Sequence, residues 1–233
     1  MKVCEIFKSI EGEGIRTGLP AVFVRLHGCN LRCSYCDSMY AVEGSDYKTM
    51  DLQQVLEAVK GYGVKNVTLT GGEPLLHQGV AELLETLSRE GFRVNVETNG
   101  TVPAKWRLPG LFYTMDWKCK SSAMSSHMKL ENMETIGEGD VLKFVVGSVE
   151  DLEETESVVE RLAAKKSAQA LQKNLPDGVP QGMPSIFVSP VFGKLSNVEI
   201  VNWMLASDVM VKNDARFQVQ LHKVVWDPDL RGV

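Results

Sequence analysis

The sequence predicts an α/β fold: one incomplete, TIM-like barrel of mainly parallel strands, formed as a single domain over residues 1–233. Three observations predict it. Short apolar runs alternate with apolar stripes at helical spacing, the order of repeated strand–helix units and so of a parallel sheet with right-handed crossovers. Only about six or seven such strands can be counted, too few to close an eight-stranded barrel. The residues with chemistry to offer fall just after strand-like runs, where parallel α/β folds carry their sites.

The elements follow in order. Cys4 falls in a first strand and reads as a core residue, and Ala21–Leu26 is a short apolar strand. Thr49 can cap a helix whose stripe is Leu52, Val55, Leu56 and Val59. Val67 and Leu69 mark a strand running into Gly71-Gly72. Val80, Leu83, Leu84 and Leu87 form the next helical stripe, and Gly91 suits its stop. Phe92–Thr98 and Leu111–Met115 alternate as strands, whereas Lys118–Gly139 lacks a clear helical stripe. Val141–Val146 is a buried-strand pattern, and Ser148 with Asp151 resembles a capping box for a helix through Leu162. The segment 165–184, rich in Lys, Gln, Gly and Pro, reads as an exposed insertion. Ile186–Val188, a helix over 196–206 and an alternating strand at Phe217, Val219 and Leu221 complete the chain. On that last strand Gln220 and His222 would share one face, toward the site.

Composition narrows the classes of function. With 44% hydrophobic and 24% charged residues, the chain has an ordinary globular make-up. It has no apolar run of about 18 residues, so no transmembrane helix and no membrane partner are expected. The opening Met1-Lys2-Val3-Cys4-Glu5 has no apolar signal core, so a cytoplasmic location is expected. A net charge of −5 argues against a nucleic-acid-coating protein.

The five cysteines are unevenly placed. Cys29, Cys33 and Cys36 share the loop Cys29-Asn30-Leu31-Arg32-Cys33-Ser34-Tyr35-Cys36, while Cys4 and Cys119 stand apart. Three thiolates in one short loop can face a common centre. A 4Fe–4S cluster usually takes four cysteines, so three leave one iron open to another ligand, a catalytic rather than an electron-wire design. Structural zinc, with His27 as fourth ligand, and three buried free thiols are the alternatives.

Cys-x3-Cys-x2-Cys with an aromatic residue before the last cysteine, followed some way on by Thr70-Gly71-Gly72-Glu73-Pro74, resembles the radical S-adenosylmethionine superfamily. Five further motifs narrow the resemblance: Ile6–Gly14, Phe23–Asn30, Asp37-Ser38, Gln220–Trp226 and the terminal Arg231-Gly232-Val233. Together they are similar to the 7-carboxy-7-deazaguanine synthase family. The resemblance implies the radical S-adenosylmethionine barrel core and a lyase of queuosine and 7-deazapurine biosynthesis. In that reaction the 5′-deoxyadenosyl radical takes hydrogen from C6 of 6-carboxy-5,6,7,8-tetrahydropterin, the ring contracts, and ammonia leaves. Implied cofactors are a 4Fe–4S cluster, S-adenosylmethionine and Mg²⁺. Implied partners are the small pterin substrate, an electron donor such as flavodoxin or ferredoxin, and a second copy in a homodimer.

The resemblance also implies site roles. Cys29, Cys33 and Cys36 would hold the cluster and Ser38 the magnesium ion. Tyr35, Cys36, Asp37, Gly72, Asp116, Trp117 and Lys118 would contact the cofactor, and Ile10, Glu11, Gly12, Arg25 and Thr70 the substrate. Arg25 suits a carboxylate held bidentately, with an ordinary ion pair as its other reading. Glu11 and Glu13 could accept from pterin N–H groups or form a solvated acidic turn; relatives more often carry Gln at the position of Glu11. Ser38 could equally cap a turn beside Asp37. Glu97 and Asn99 would help order the ribose, and Cys119 reads as a spare cysteine. A glycyl-radical enzyme activase acting on a protein, and a zinc or iron–sulfur binding module, are the rival functions.

Overall fold

The computed structural model describes residues 1–171, 180–227 and 230–233. Strand β1 (Lys2–Ile10) runs through a 3-10 turn at Gly14–Arg16 into β2 (Pro20–Leu26), which pairs with it antiparallel. The cysteine loop leads to the one-turn helix α1 (Met39–Val42) and the short strand β3 (Lys48–Thr49). Then come α2 (Leu52–Gly61), β4 (Asn66–Gly71), α3 (Val80–Arg89), β5 (Arg93–Thr98), β6 (Leu111–Trp117) and α4 (Leu130–Met133). The chain continues with β7 (Val141–Val146), α5 (Val149–Ala170), β8 (Ser185–Pro190), α6 (Asn197–Ala206), α7 (Asp208–Lys212), β9 (Arg216–Phe217) and α8 (His222–Val225). Among the described residues the strands form one sheet in the order β3-β1-β2-β4-β5-β6-β7-β8-β9, parallel from β2 onward. The sheet is open, as the strand count predicted.

The helical stripes pack as their spacing requires. Val80, Leu83, Leu84 and Leu87 of α3 are all buried, as are Val55, Leu56 and Val59 of α2. Each such side chain contributes about 1.5–3 kcal/mol on burial. Thr49 does not cap α2, because it pairs with Lys2 in the β3–β1 ladder; Asp51 and Gln54 form the capping box instead. The hydroxyl of Ser148 makes no cap hydrogen bond to α5; the Asp151 carboxylate accepts from Gly147 N and Ser121 N. Helix α5 runs past Leu162 into the segment read as an insertion. There the buried Lys166 donates to the carbonyls of Glu134 and Pro180 at 2.9 Å each. Residues 172–179 of that segment lie outside the described residues.

The end of the chain corrects the sequence reading. Strand β9 stops at Phe217, and Leu221 opens the approach to α8 rather than continuing a strand. The reason is competition for partners. Among the described residues β9 pairs only with β8, whereas the turn after β1 offers polar groups: Gly14 N donates to Gln218 Oε1 at 2.8 Å, and Leu221 N to Gly12 O at 3.0 Å. The chain therefore leaves the sheet and crosses to the turn after β1. Gln220 and His222 do not share a strand face.

Alternation within the strands decides what the barrel holds. Val67, Leu69, Val94, Val96, Tyr113, Met115, Leu142, Phe144, Ile186 and Val188 belong to the buried apolar core. Their neighbours of opposite parity, among them Thr68, Asn95, Thr114 and Lys143, are buried polar residues on the other face. The barrel interior is thus polar, and only the outward face of the sheet is sealed by helices.

Candidate active site

At the C-terminal ends of the strands the interior opens into a cavity of about 650 Å³. Inward-facing residues of five neighbouring strands line it: Arg25 on β2, Thr70 on β4, Glu97 on β5, Asp116 on β6 and Lys143 on β7. The cysteine loop forms one side, with Cys29, Cys33, Tyr35, Cys36, Asp37 and Ser38 on the wall. Ile10 lines it from the end of β1, Gly12 and Glu13 from the turn that follows, and Lys118 from beyond β6. His222 and Lys223 of α8 reach the same space.

Backbone packing seats the cysteine loop. Gly72 N donates to Leu26 O at 2.9 Å and Glu73 N to Gly28 O at 2.8 Å. A Cβ on Gly72 would lie 2.1 Å from Gly28 O, and one on Gly71 would lie 2.1 Å from Leu26 O. The glycine pair therefore lets two strand ends touch. Glu73 is fully buried and off the cavity wall. Its carboxylate accepts from Leu75 N, the Thr98 hydroxyl and Asn99 N, which ties β4 to β5. Burial raises the Glu73 pKa against the pull of these hydrogen bonds. Asn99 Nδ2 in turn reaches Cys29 Sγ at 3.5 Å, and Ser34 N donates to Ser122 O at 3.0 Å.

The three sulfurs line one space. Three thiolates from one loop hold three irons of a cuboidal cluster and leave the fourth open to another ligand. Burial pushes the Cys33 and Cys36 thiols above their usual pKa. Neighbouring sulfurs add to this, whereas Lys118 opposes it. His27, the alternative fourth zinc ligand, is off the cavity wall with its ring 4.5 Å from that of Tyr47. The donor set fits a three-cysteine iron–sulfur cluster.

Buried charge runs across the cavity. Lys143 Nζ lies 2.8 Å from Glu13 Oε2 and 3.4 Å from Asp116 Oδ2; Lys118 Nζ lies 2.9 Å from the same Asp116 oxygen. Burial opposes both ammonium groups, yet the facing carboxylates outweigh it and hold both pKa values above the ordinary lysine range. Asp116 Oδ1 is buried without a protein partner among the described residues, an acceptor left for a ligand. Asp37 is half-exposed; burial would raise its pKa, but the Lys223 ammonium at 3.0 Å and the Ser38 hydroxyl bring it down to about 2. Ser38 Oγ donates to Asp37 Oδ1 at 3.0 Å and accepts from Arg25 Nη1 at 3.3 Å.

Two expected contacts do not reach the cavity. Glu11 is 1% exposed and paired with Arg16 and Thr68 beneath the floor, so it neither meets substrate nor forms a solvated turn. The carboxylate at the cavity is Glu13, two residues on. Trp117 faces outward by strand alternation and donates to Glu154 Oε1 at 2.9 Å, so only its neighbours Asp116 and Lys118 line the site. Cys119 is buried with Asp151 and Glu154 within 4.8 Å, but these carboxylates already accept from backbone N–H groups and the Trp117 indole. Cys4, expected in the core, is only half-buried. Sequence reasoning missed Lys143, although a lone lysine in Val141-Leu142-Lys143-Phe144-Val145-Val146 was a legible signal. Nothing local marked Tyr40, and Lys223 was covered only by the Gln220–Trp226 motif, with no role attached.

An open parallel sheet with a three-cysteine loop after one of its strands defines the class: a radical S-adenosylmethionine enzyme, which carries a 4Fe–4S cluster and S-adenosylmethionine. The radical SAM superfamily matches residues 23–111. The crystal structure of QueE from Escherichia coli superposes with a TM-score of 0.67 at 22% identity, covering 95% of this chain and 94% of that one. Streptococcus suis SuiB bound to S-adenosylmethionine shares the fold at a TM-score of 0.55 and 10% identity, over 84% of this chain and 51% of its own. In sequence the chain is 40% identical over 237 residues to the 7-carboxy-7-deazaguanine synthase of Clostridium acetobutylicum, covering 100% of this chain and 99% of that one. It is 37% identical to the enzyme of that name from Methanospirillum hungatei, over 98% and 86%. The chain belongs to the 7-carboxy-7-deazaguanine synthase family. Among the described residues no helix is long and apolar enough to cross a membrane.

Proposed function

We propose that the protein converts 6-carboxy-5,6,7,8-tetrahydropterin to 7-carboxy-7-deazaguanine with loss of ammonia. The carrying observation is that Arg25 and the three cysteines line one cavity of about 650 Å³, so a carboxylate anchor and a cluster-binding loop serve the same space. Cys29, Cys33 and Cys36 hold the cluster. A cluster held by these three thiolates would, with S-adenosylmethionine bound, supply its reductive cleavage. Asp116 Oδ1, Lys118 and the Gly72 backbone orient the cofactor. Arg25 holds the substrate carboxylate as a fork, while Thr70 and Glu13 offer polar contacts to the pterin ring.

Ser38 is the proposed protein ligand of Mg²⁺. Its oxygen keeps one lone pair beyond the Arg25 contact, and a single neutral hydroxyl leaves most ligand positions to substrate oxygens and water. A flavodoxin- or ferredoxin-type donor, a homodimer, a cytoplasmic location and a single domain complete the reading. Anaerobically reconstituted protein, given reductant, cofactor, Mg²⁺ and the carboxypterin, is expected to release ammonia and 7-carboxy-7-deazaguanine together. Cofactor cleavage without either product would overturn the substrate assignment.

A further inference from the structure

The aim of Arg25 has a structural cause outside the cavity. A guanidinium carries five N–H donors in a rigid plane, on a stem with roughly 2 kcal/mol of rotamer entropy. Here Nε donates to Glu5 Oε1 at 2.7 Å and Nη1 reaches Ser38 Oγ at 3.3 Å, while Nη2 has no protein partner among the described residues. Glu5 is not on the cavity wall. It stands directly opposite Arg25 in the β1–β2 ladder, so strand register delivers it to the same spot. Both side chains are mostly buried, at 17% and 20% exposure, which sets the pair apart from a surface ion pair.

The same Glu5 oxygen accepts from the Tyr40 hydroxyl at 2.6 Å. Tyr40 belongs to α1, two residues beyond Ser38, and the Arg231 guanidinium lies 3.8 Å from its ring centroid. Burial raises the Tyr40 pKa, so its hydroxyl keeps the proton it donates. Glu5 thus joins the arginine of β2 to the helix that follows the last cysteine. It occupies the Nε side of the guanidinium and leaves the terminal Nη edge for a ligand.

We propose that Glu5, fixed by Tyr40, is a positioning residue that aims the Nη1–Nη2 edge of Arg25 at the substrate carboxylate and so sets selectivity for a carboxylated pterin. The proposal deepens the substrate reading above and rests on it. Geometry and charge predict opposite signs. Were Glu5 only a counter-charge, neutralising it would free Arg25 to bind a carboxylate more tightly. As an aiming group, glutamine in its place still accepts from Arg25 and Tyr40 and preserves selectivity, whereas alanine destroys it.

The test titrates 6-carboxy-5,6,7,8-tetrahydropterin, and the same pterin lacking the carboxyl group, into anaerobically reconstituted enzyme with cofactor and Mg²⁺. The readout is the ratio of the two affinities, with iron content as a check on folding. R25A is expected to abolish the preference. E5A is expected to lower it by about 10–100-fold, the scale of a lost hydrogen bond to a charged group or a misplacement near 1 Å. E5Q is expected to stay within a few-fold of the parent, and Y40F to fall between. If R25A loses the preference but E5A keeps it, or if E5Q binds the carboxylated pterin more tightly than the parent, the positioning role of Glu5 is overturned and the Arg25 reading stands. If R25A itself keeps the preference, the Arg25 reading falls and this proposal with it. Should E5A not fold, Y40F decides: an unchanged ratio there overturns the proposal.

Discussion

Replacing Lys143 with methionine tests the buried charge row most directly. The substitution keeps the length and apolar stem of the side chain and removes only the ammonium. What remains is Glu13, which faced that ammonium at 2.8 Å with its side chain only 10% exposed, whereas Asp116, 3.4 Å from it, keeps Lys118 at 2.9 Å. Removing one partner from a buried ion pair costs about 3–5 kcal/mol, because the other charge stays desolvated. For a chain of this size each kcal/mol moves the melting temperature by about 2–4 °C, so K143M is expected to melt roughly 6–20 °C lower. Circular dichroism on cluster-free protein, in urea and on heating, measures this without cofactor effects. One control isolates the cause. The double variant K143M/E13Q removes the stranded carboxylate and is expected to recover a large part of the loss. A loss under about 1 kcal/mol, or no recovery in the double variant, would refute the claim that Lys143 compensates the buried Glu13 carboxylate.

Three further outcomes follow from the same geometry. G72A places a methyl 2.1 Å from Gly28 O; the cysteine loop has to shift, and iron incorporated per chain on reconstitution is expected to fall sharply. Burial, reinforced by Glu97 and opposed by Arg16, raises Glu11 from 4.5 to about 6. Stability should therefore decline as pH rises from about 4.5 to about 6, by about 2 kcal/mol, and stay at the lower level above; urea titrations of E11Q should lack that component. S38A is expected to lower turnover and blunt the response to Mg²⁺ while S38T keeps both, and an S38A response equal to the parent's excludes the hydroxyl as a ligand.

Local pattern carried much of this protein. Most of the strand and helix order as far as β8, the stripes of α2 and α3, the open sheet and the three-cysteine loop were legible, because a 3.6-residue or a two-residue period is written in consecutive residues. The motif residues from Cys29 to Ser38 gather at one cavity because they share one short loop. Errors came where a residue's direction depended on a distant partner. Glu11 and Glu13 are equivalent in sequence, yet Arg16 and Thr68 draw one below the floor while Lys143 draws the other to the cavity. Trp117 sits between two cavity residues, and strand parity turns it to the helices. Leu221 looked like a strand residue until Gly12 took its N–H. The partnership of Glu5 with Arg25 needed the register of β1 against β2, and that of Lys143 with Glu13 joined positions on opposite sides of the barrel. A backbone period is set by neighbours a few residues away. The pairing of a buried charge is set by whichever opposite charge the folded sheet brings within reach, and only the folded chain determines that distance.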